Sequence, residues 1–352
     1  MKILVISLAG IGDTLFATPL IHELRLNFPD ATIDALVMWP GSKDLLENNP
    51  HLNLVHQKNL IKAGKLESLA FLRSLKANHY DISINTHPQS RIHYRIAARL
   101  AGAKVRFSHE YECFGWLDRQ GVNLTLPQDY SMHSAENNLA VLPLIRAEPK
   151  LPAHELEIFL TPDELQWADH FLKVNHLVGK NWLGIHVGSG GTKNLALRRW
   201  PLENFIELSR HLQAEKPGLP ILFFGGPEET ADHQKIQAAL PSALFPPTRN
   251  LRQAAALLRQ AGGFLSVDTA LMHVAAAMKV PSQTVIETPT WNKPIEPYSN
   301  PFTLVPNPSV HGRNLNFYRY DGGGIKGTRE ELIACMKSVK VKDVFEVVAR
   351  LT

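Results

Sequence analysis

Apolar residues fall along this chain in two alternating rhythms. Compact aliphatic runs at 2–8 (KILVISL), 32–38 (TIDALVM), 52–56 (LNLVH), 80–85 (YDISIN) and 104–107 (KVRF) read as strands. The intervening stretches 14–28, 62–77 and 90–100 space their apolar residues at helical intervals. Such alternation predicts βα units and a parallel sheet. The segment RAEPKLPAHELEIFLTP at 146–162, with three prolines, breaks the rhythm and reads as a crossing between domains. The pattern then restarts with NWLGIHVG at 181–188, a helix from about 202, PILFFGG at 220–226 and a helix from about 228. Another helix near 250–260, GGFLSVD at 262–268, a helix from 269 and SQTVI at 282–286 complete it. Residues 308–327 are rich in Gly and Asn and read as irregular, and 328–352 return to a helical period, with Thr328 and Glu331 spaced as a capping box. The expected organisation is a domain over 1–150, a second over 151–327, and a helical tail over 328–352.

Length agrees, because 352 residues exceed what one hydrophobic core usually serves. With 44% hydrophobic and 20% charged residues the composition is that of an ordinary globular protein. No segment reaches the roughly 18 apolar residues of a membrane span. The N-terminal apolar run is interrupted by Gly10, Gly12 and Asp13, and reads as a first strand rather than a leader. Cys113 and Cys335 lie far apart, and the sixteen histidines include no H-x-x-x-H pair, so neither a disulfide framework nor a zinc site is indicated. A reducing cytoplasm fits. A net charge of +4 makes no demand for nucleic acid, yet suits phosphorylated ligands or an anionic membrane surface. Between Lys62 and Arg106 nine Lys or Arg face only Glu67 and Asp81, and Arg91, Arg95 and Arg99 recur at helical spacing. That stripe is read either as a solvated face or as a surface for acceptor or membrane anions.

Ligands of open parallel sheets bind beyond the carboxyl ends of the strands, which singles out four loops. LAGIGDT after the first strand is one residue type short of a dinucleotide fingerprint, because Leu15 stands where a third small residue is needed, and Asp34 lies inside the second strand. A nicotinamide enzyme is therefore not expected. Asp13 in that loop reads as a helix cap or as a proton-accepting carboxylate. In SVDTALMH, Asp268 and Thr269 open a helix and His273 follows one turn later, either a cap with a core histidine or a diphosphate site. GTKNLALRRWP places Lys193, Arg198 and Arg199 on a loop able to offset leaving-group charge. No D-x-D occurs to hold a metal-bound nucleotide sugar. FFGGPEET ends a strand with Glu228 and Glu229, which read as acids suiting a helix start or as partners for sugar hydroxyls.

Taken together, GIGDTLFATPLIHELRLNFPDATIDALV, HSAENNLAVL, GIHVGSGGTKNLALRRWPLENF, FFGGPEE, SVDTALMHVAAAMKVP and PTWNKPIEPY resemble glycosyltransferase family 9, the ADP-heptose:lipopolysaccharide heptosyltransferases. The resemblance implies an α/β GT-B fold of two Rossmann-like domains facing a central cleft, with acceptor on the N-terminal side and nucleotide sugar on the C-terminal side. It implies metal-independent, inverting transfer without a cofactor, and a last helix packing back on the first domain. Asp13 matches the family's catalytic aspartate, and Gly12, Thr14, Arg91 and Arg95 are assigned with it to the acceptor. Arg198, Lys193, Glu228, Glu229, Asp268, Thr269, Ala270 and His273 are assigned to the donor. Ala270, Val187 and the ETPT at 287–290 depart from the family's usual glycine, proline and G-P-T turn. The expected reaction moves heptose from ADP-heptose to a hydroxyl of lipopolysaccharide inner core, by a cytoplasmic protein in peripheral contact with the inner membrane. The alternatives are another nucleotide sugar or glycan acceptor, and a catalytically silent nucleotide- or glycan-binding relative.

Overall fold

In the computed structural model, which describes residues 1–111, 115–191, 194–312 and 327–351, the chain divides into two compact units. The first spans Met1–Phe159 and takes in Lys293–Tyr298; the second holds Leu160–Asn292, the stretch from Ser299, and the C-terminal helices. The division falls later than the expected 150/151. The reason lies in the helix Thr18–Asn27, whose buried Glu23 accepts the Lys150 and Leu151 amides and His154 Nε2, while Thr18 Oγ1 accepts the Glu157 amide. Those bonds attach the proline-rich stretch to the first unit. Lys293–Tyr298 joins that unit because His133 Nε2 meets the Glu296 carbonyl and the Tyr298 hydroxyl donates to Glu136. Of the expected irregular stretch 308–327, residues 313–326 lie outside those described.

Each unit is one wholly parallel sheet. The first contains β1 (Lys2–Ser7), β2 (Thr32–Val37), β3 (Leu54–Gln57), β4 (Ile82–Asn85), β5 (Val105–Glu110) and β6 (Leu124–Pro127), in the order β3-β2-β1-β4-β5-β6. Its central strands are apolar on both faces: Ile3 and Val5 pack with Ala17, Leu20 and Leu24, while Leu4 and Ile6 pack with Leu72, Ala97 and Ala98. Helices therefore cover both sides, as continuous apolar runs require. The second contains β7 (Leu183–His186), β8 (Ile221–Phe224), β9 (Gly263–Ser266), β10 (Ser282–Ile286) and β11 (Phe302–Val305), in the order β11-β10-β9-β7-β8. The edge strands β6 and β11 are short and only partly buried, which is why no apolar run announced them. In both sheets the chain starts in the middle and winds outward in both directions. The direction reverses between β1 and β4 in one unit and between β7 and β9 in the other, and such reversals open a crevice at the strand ends.

The tail departs from expectation. Its helices Arg329–Lys337 and Val341–Leu351 belong to the second unit, where Val341, Val344 and Val348 join the core with Phe205, Leu208 and Leu212 of the helix Leu202–Glu215. The physical cause is their one apolar stripe, which that core covers. Between them Val339 is buried and its carbonyl accepts the Trp200 indole N–H at 3.0 Å. No helix among the described residues is long and apolar enough to cross a membrane.

Candidate active site

In the second unit the loops after β7, β9 and β10 converge at the strand ends. Thr269 is the N-cap of the helix Ala270–Ala277, its hydroxyl accepting the Met272 amide at 3.3 Å. Asp268 consequently does not act as the cap. Its Oδ2 accepts Arg198 Nη1 at 2.7 Å and the Thr290 hydroxyl at 3.2 Å, and both ends of this ion pair are almost wholly buried. Arg198 Nη1 also reaches Thr290 Oγ1 at 3.3 Å, and Thr288 lies 2.9 Å from that oxygen. One hydroxyl proton per threonine is enough: Thr288 can donate to Thr290, which donates to Asp268. Arg198 Nε is buried and makes no hydrogen bond to a described residue, so the guanidinium keeps a donor beyond its pair with Asp268.

His273 sits one turn into the same helix, 4% exposed. Burial, helped by the Arg198 charge, pushes its pKa down to about 3. At neutral pH the imidazole is therefore uncharged: it can hydrogen bond, but it holds no ionised proton to give. Ala270 is the half-buried first residue of the helix.

The second arginine goes elsewhere. Arg199 Nη2 donates to the Ser189 carbonyl at 2.9 Å and to Glu229 Oε1 at 3.0 Å, and Nη1 lies 3.6 Å from Asp232. Glu229 takes the Gly226 amide on its other oxygen at 2.9 Å. It is thus a brace between two loops, not the sugar-binding carboxylate that the sequence allowed. A Cβ on Gly188 would sit 2.3 Å from Glu229 Oε1, so glycine is needed there. Glu228 is exposed, and among the described residues it makes no hydrogen bond or ion pair. Lys193 lies outside the described residues.

In the first unit, Asp13 occupies the third position of the short helix Ile11–Leu15 and folds back so that Oδ2 accepts the Gly10 amide at 2.6 Å. A Cβ on Gly10 would come within 2.8 Å of that oxygen, so the absence of a side chain there lets the carboxylate close. Gly12 is buried beside it. Thr14 is fully buried, its hydroxyl donating to Ser42 at 2.8 Å, which makes it a packing residue rather than an acceptor ligand. From the other side of the β1/β4 reversal, Gln89 Oε1 accepts the Leu8 amide at 2.9 Å and fixes the loop that carries Asp13. The basic stripe is not continuous. Arg91 is half-buried at the start of the helix Ile92–Ala101 and Arg99 is exposed, but Arg95 is 0% exposed and pairs with Asp118 at 3.0 Å. Helical spacing alone could not show that a further element, Gly115–Arg119, covers it with an acid.

Residues 68–315 match the family model described as glycosyltransferase family 9 (heptosyltransferase). The chain belongs to glycosyltransferase family 9. It is a glycosyltransferase, and the matched residues contain the whole Arg198–Asp268–Thr290 network, though not Asp13. Lipopolysaccharide heptosyltransferase 3 of Escherichia coli is 26% identical over 284 residues, covering 77% of this chain and 78% of that one. The crystal structure of a glycosyl transferase family 9 protein from Veillonella parvula aligns with a TM-score of 0.76 at 18% identity, over 99% of this chain and 96% of that one. E. coli heptosyltransferase WaaC, solved with ADP-2-deoxy-2-fluoro heptose, aligns with a TM-score of 0.70 at 18% identity, over all of both chains. The family 9 fold of this chain is GT-B, two Rossmann-like α/β domains, as its sequence resemblance implies. Sequence reading missed Thr288, Thr290 and Gln89. The first two were visible only as a departure in ETPT, yet their place just after an apolar strand marked them as strand-end residues.

Proposed function

We propose that this family 9 enzyme transfers heptose from ADP-heptose to a hydroxyl of lipopolysaccharide inner core, with inversion, without a metal, and with Asp13 as general base. The observation that carries this is the buried Arg198–Asp268 pair at the β7/β9 reversal, beside a capped helix N-terminus. Arg198 stabilises charge developing on the departing diphosphate, and the first amides of Ala270–Ala277 add donors aimed at the same anion. Asp268 and Thr290 hold the guanidinium in place, and neutral His273 contributes a hydrogen bond. The sugar-nucleotide class follows the ADP-sugar in the WaaC structure, and the acceptor follows the lipopolysaccharide heptosyltransferase relative. Asp13, oriented by the Gly10 amide, accepts the proton of the acceptor hydroxyl as that oxygen attacks the anomeric carbon opposite ADP.

The decisive experiment compares thermal unfolding with ADP, UDP and GDP, then turnover of ADP-heptose with the product's anomeric configuration read by NMR. Selective stabilisation by ADP and an inverted product are expected. Equal stabilisation by all three nucleotides, or retention, would overturn the donor or the mechanism. Membrane contact is proposed at Ile61 and Leu66, which are 70% and 84% exposed beside exposed Lys62 and Lys65. Ile61→Asp with Leu66→Asp should reduce co-sedimentation with anionic vesicles, and undiminished binding would remove this surface.

A further inference from the structure

Three residues that no sequence motif connects meet inside the first unit. His22 lies on the helix Thr18–Asn27, His51 in the turn before β3, and Glu157 near the end of the proline-rich stretch. Each offers a ligand atom, and these atoms all lie within 4.8 Å of one another. His22 Nδ1 is 2.8 Å from Glu157 Oε1, and His51 Nε2 is 3.9 Å from Glu157 Oε2. The two imidazoles are stacked, with centroids 3.9 Å apart and planes 16° apart, and Phe159 closes against His51 edge-on at 5.6 Å. Glu157 Oε2 is buried and makes no hydrogen bond to a described residue. Arg25 is the neighbouring cation, and its donors are taken by the carbonyls of Pro29, Ala31 and His51 and by Asn53 Oδ1.

We propose that His22, His51 and Glu157 form a site for one divalent cation of the zinc class, separate from the transfer reaction. Tetrahedral ligands about 2.0–2.1 Å from zinc stand roughly 3.3 Å from each other. The His22–Glu157 contact would lengthen by about 0.5 Å and the His51–Glu157 contact shorten by about 0.6 Å, and the two imidazoles would turn out of their parallel stack so that both in-plane lone pairs meet the ion. Two imidazoles and a carboxylate suit zinc better than magnesium or calcium, which favour oxygen. The ion would clasp the helix Thr18–Asn27, the turn at His51 and the chain leaving this unit. A hydrogen-bonded His–Glu pair with a stacked second histidine is the arrangement's competing explanation.

The test uses the full-length chain without a histidine tag, stripped with chelator and titrated with Zn²⁺ by calorimetry and with Co²⁺ by visible absorption. One saturable equivalent, tetrahedral Co²⁺ bands and a higher melting temperature with Zn²⁺ are expected. His51→Ala and Glu157→Gln should each weaken binding at least about tenfold, corresponding to 1.4 kcal/mol. In the unaltered protein Zn²⁺ should also shield His22 and His51 from diethyl pyrocarbonate, as mapped by peptide mass, so the assignment stands even where a variant fails to fold. Absence of saturable binding, equal binding by both folded variants, or unchanged modification of His22 and His51 would overturn the proposal.

Discussion

Asp13, proposed as the general base, also has an architectural contact. Its Oδ2 accepts the Gly10 amide, which satisfies a helix-end donor and also fixes the carboxylate. Asp13→Asn can keep that hydrogen bond but cannot take a proton. Its turnover should fall by about 10² to 10⁴ with melting temperature and ADP affinity little changed. Turnover within a few-fold of the parent would reduce Asp13 to a cap. Arg198 is the complementary case in the second unit. Arg198→Gln removes a charged hydrogen bond worth about 1.5–3 kcal/mol, so calorimetry should find ADP bound roughly ten- to a hundredfold more weakly. Unchanged ADP affinity would take Arg198 out of the donor site.

At the scale of elements, helix and strand position override what spacing suggests. The helix Ile92–Ala101 carries Arg91, Arg95 and Arg99 along one line, yet Arg95 is buried with Asp118, whose own pKa burial raises. Removing one partner of a buried pair leaves the other charge without compensation, so Arg95→Ala should lower stability by about 3–5 kcal/mol. Denaturant unfolding that shows no loss would contradict that role. Strand β5 makes a second prediction through His109, whose pKa burial pushes down to about 4 against a hydrogen bond to the Asn137 carbonyl. Below about pH 6.5 the unfolded chain binds protons that the folded chain refuses, so stability falls as pH drops from 6.5 toward 4. His273, at about 3, acts in the same direction. Unfolding midpoints measured at pH 7 and pH 5 should show the loss, and His109→Asn should make it smaller. An identical pH dependence in that variant would assign the effect elsewhere.

Across the second unit as a whole, the C-terminal helices back the turn that carries Arg198, in the proposed donor site. Arg329–Lys337 packs on the 3₁₀ turn Leu195–Arg198, with Leu332 against Leu195 and Leu197, and Trp200 is tied to the Val339 carbonyl. The R-R-W sequence thus divides its work: Arg198 faces Asp268, Arg199 braces Glu229, and Trp200 enters the core. Leu332→Ala should cost about 2–5 kcal/mol and raise the KM for the sugar nucleotide, because the turn that positions Arg198 loses its backing. Steady-state kinetics on the folded variant provide the check. An unchanged KM would show that the turn holds its shape without the helix.

The sequence by itself determined both sheets' central strands, the restart that makes two units, and the strand-end loops containing Asp13, Arg198 and Asp268, because these depend on local apolar runs and short-range turn chemistry. It did not determine that the segment 148–157 belongs to the first unit or that the tail closes the second, since both depend on which distant surface takes up a buried carboxylate or an apolar stripe. Nor could it choose among equivalent charges. Arg198 and Arg199, Glu228 and Glu229, and Arg91 and Arg95 are neighbours or near repeats in sequence, and only tertiary packing gave Arg198 to Asp268 and Arg199 to Glu229, buried Glu229 and Arg95 in ion pairs, and left Glu228 and Arg91 nearer solvent. The same holds for His22, His51 and Glu157, which the fold assembles from segments that share no spacing. Local pattern fixes the backbone path, while the free energy of burying a charge fixes its partner, and that partner comes from elsewhere in the chain.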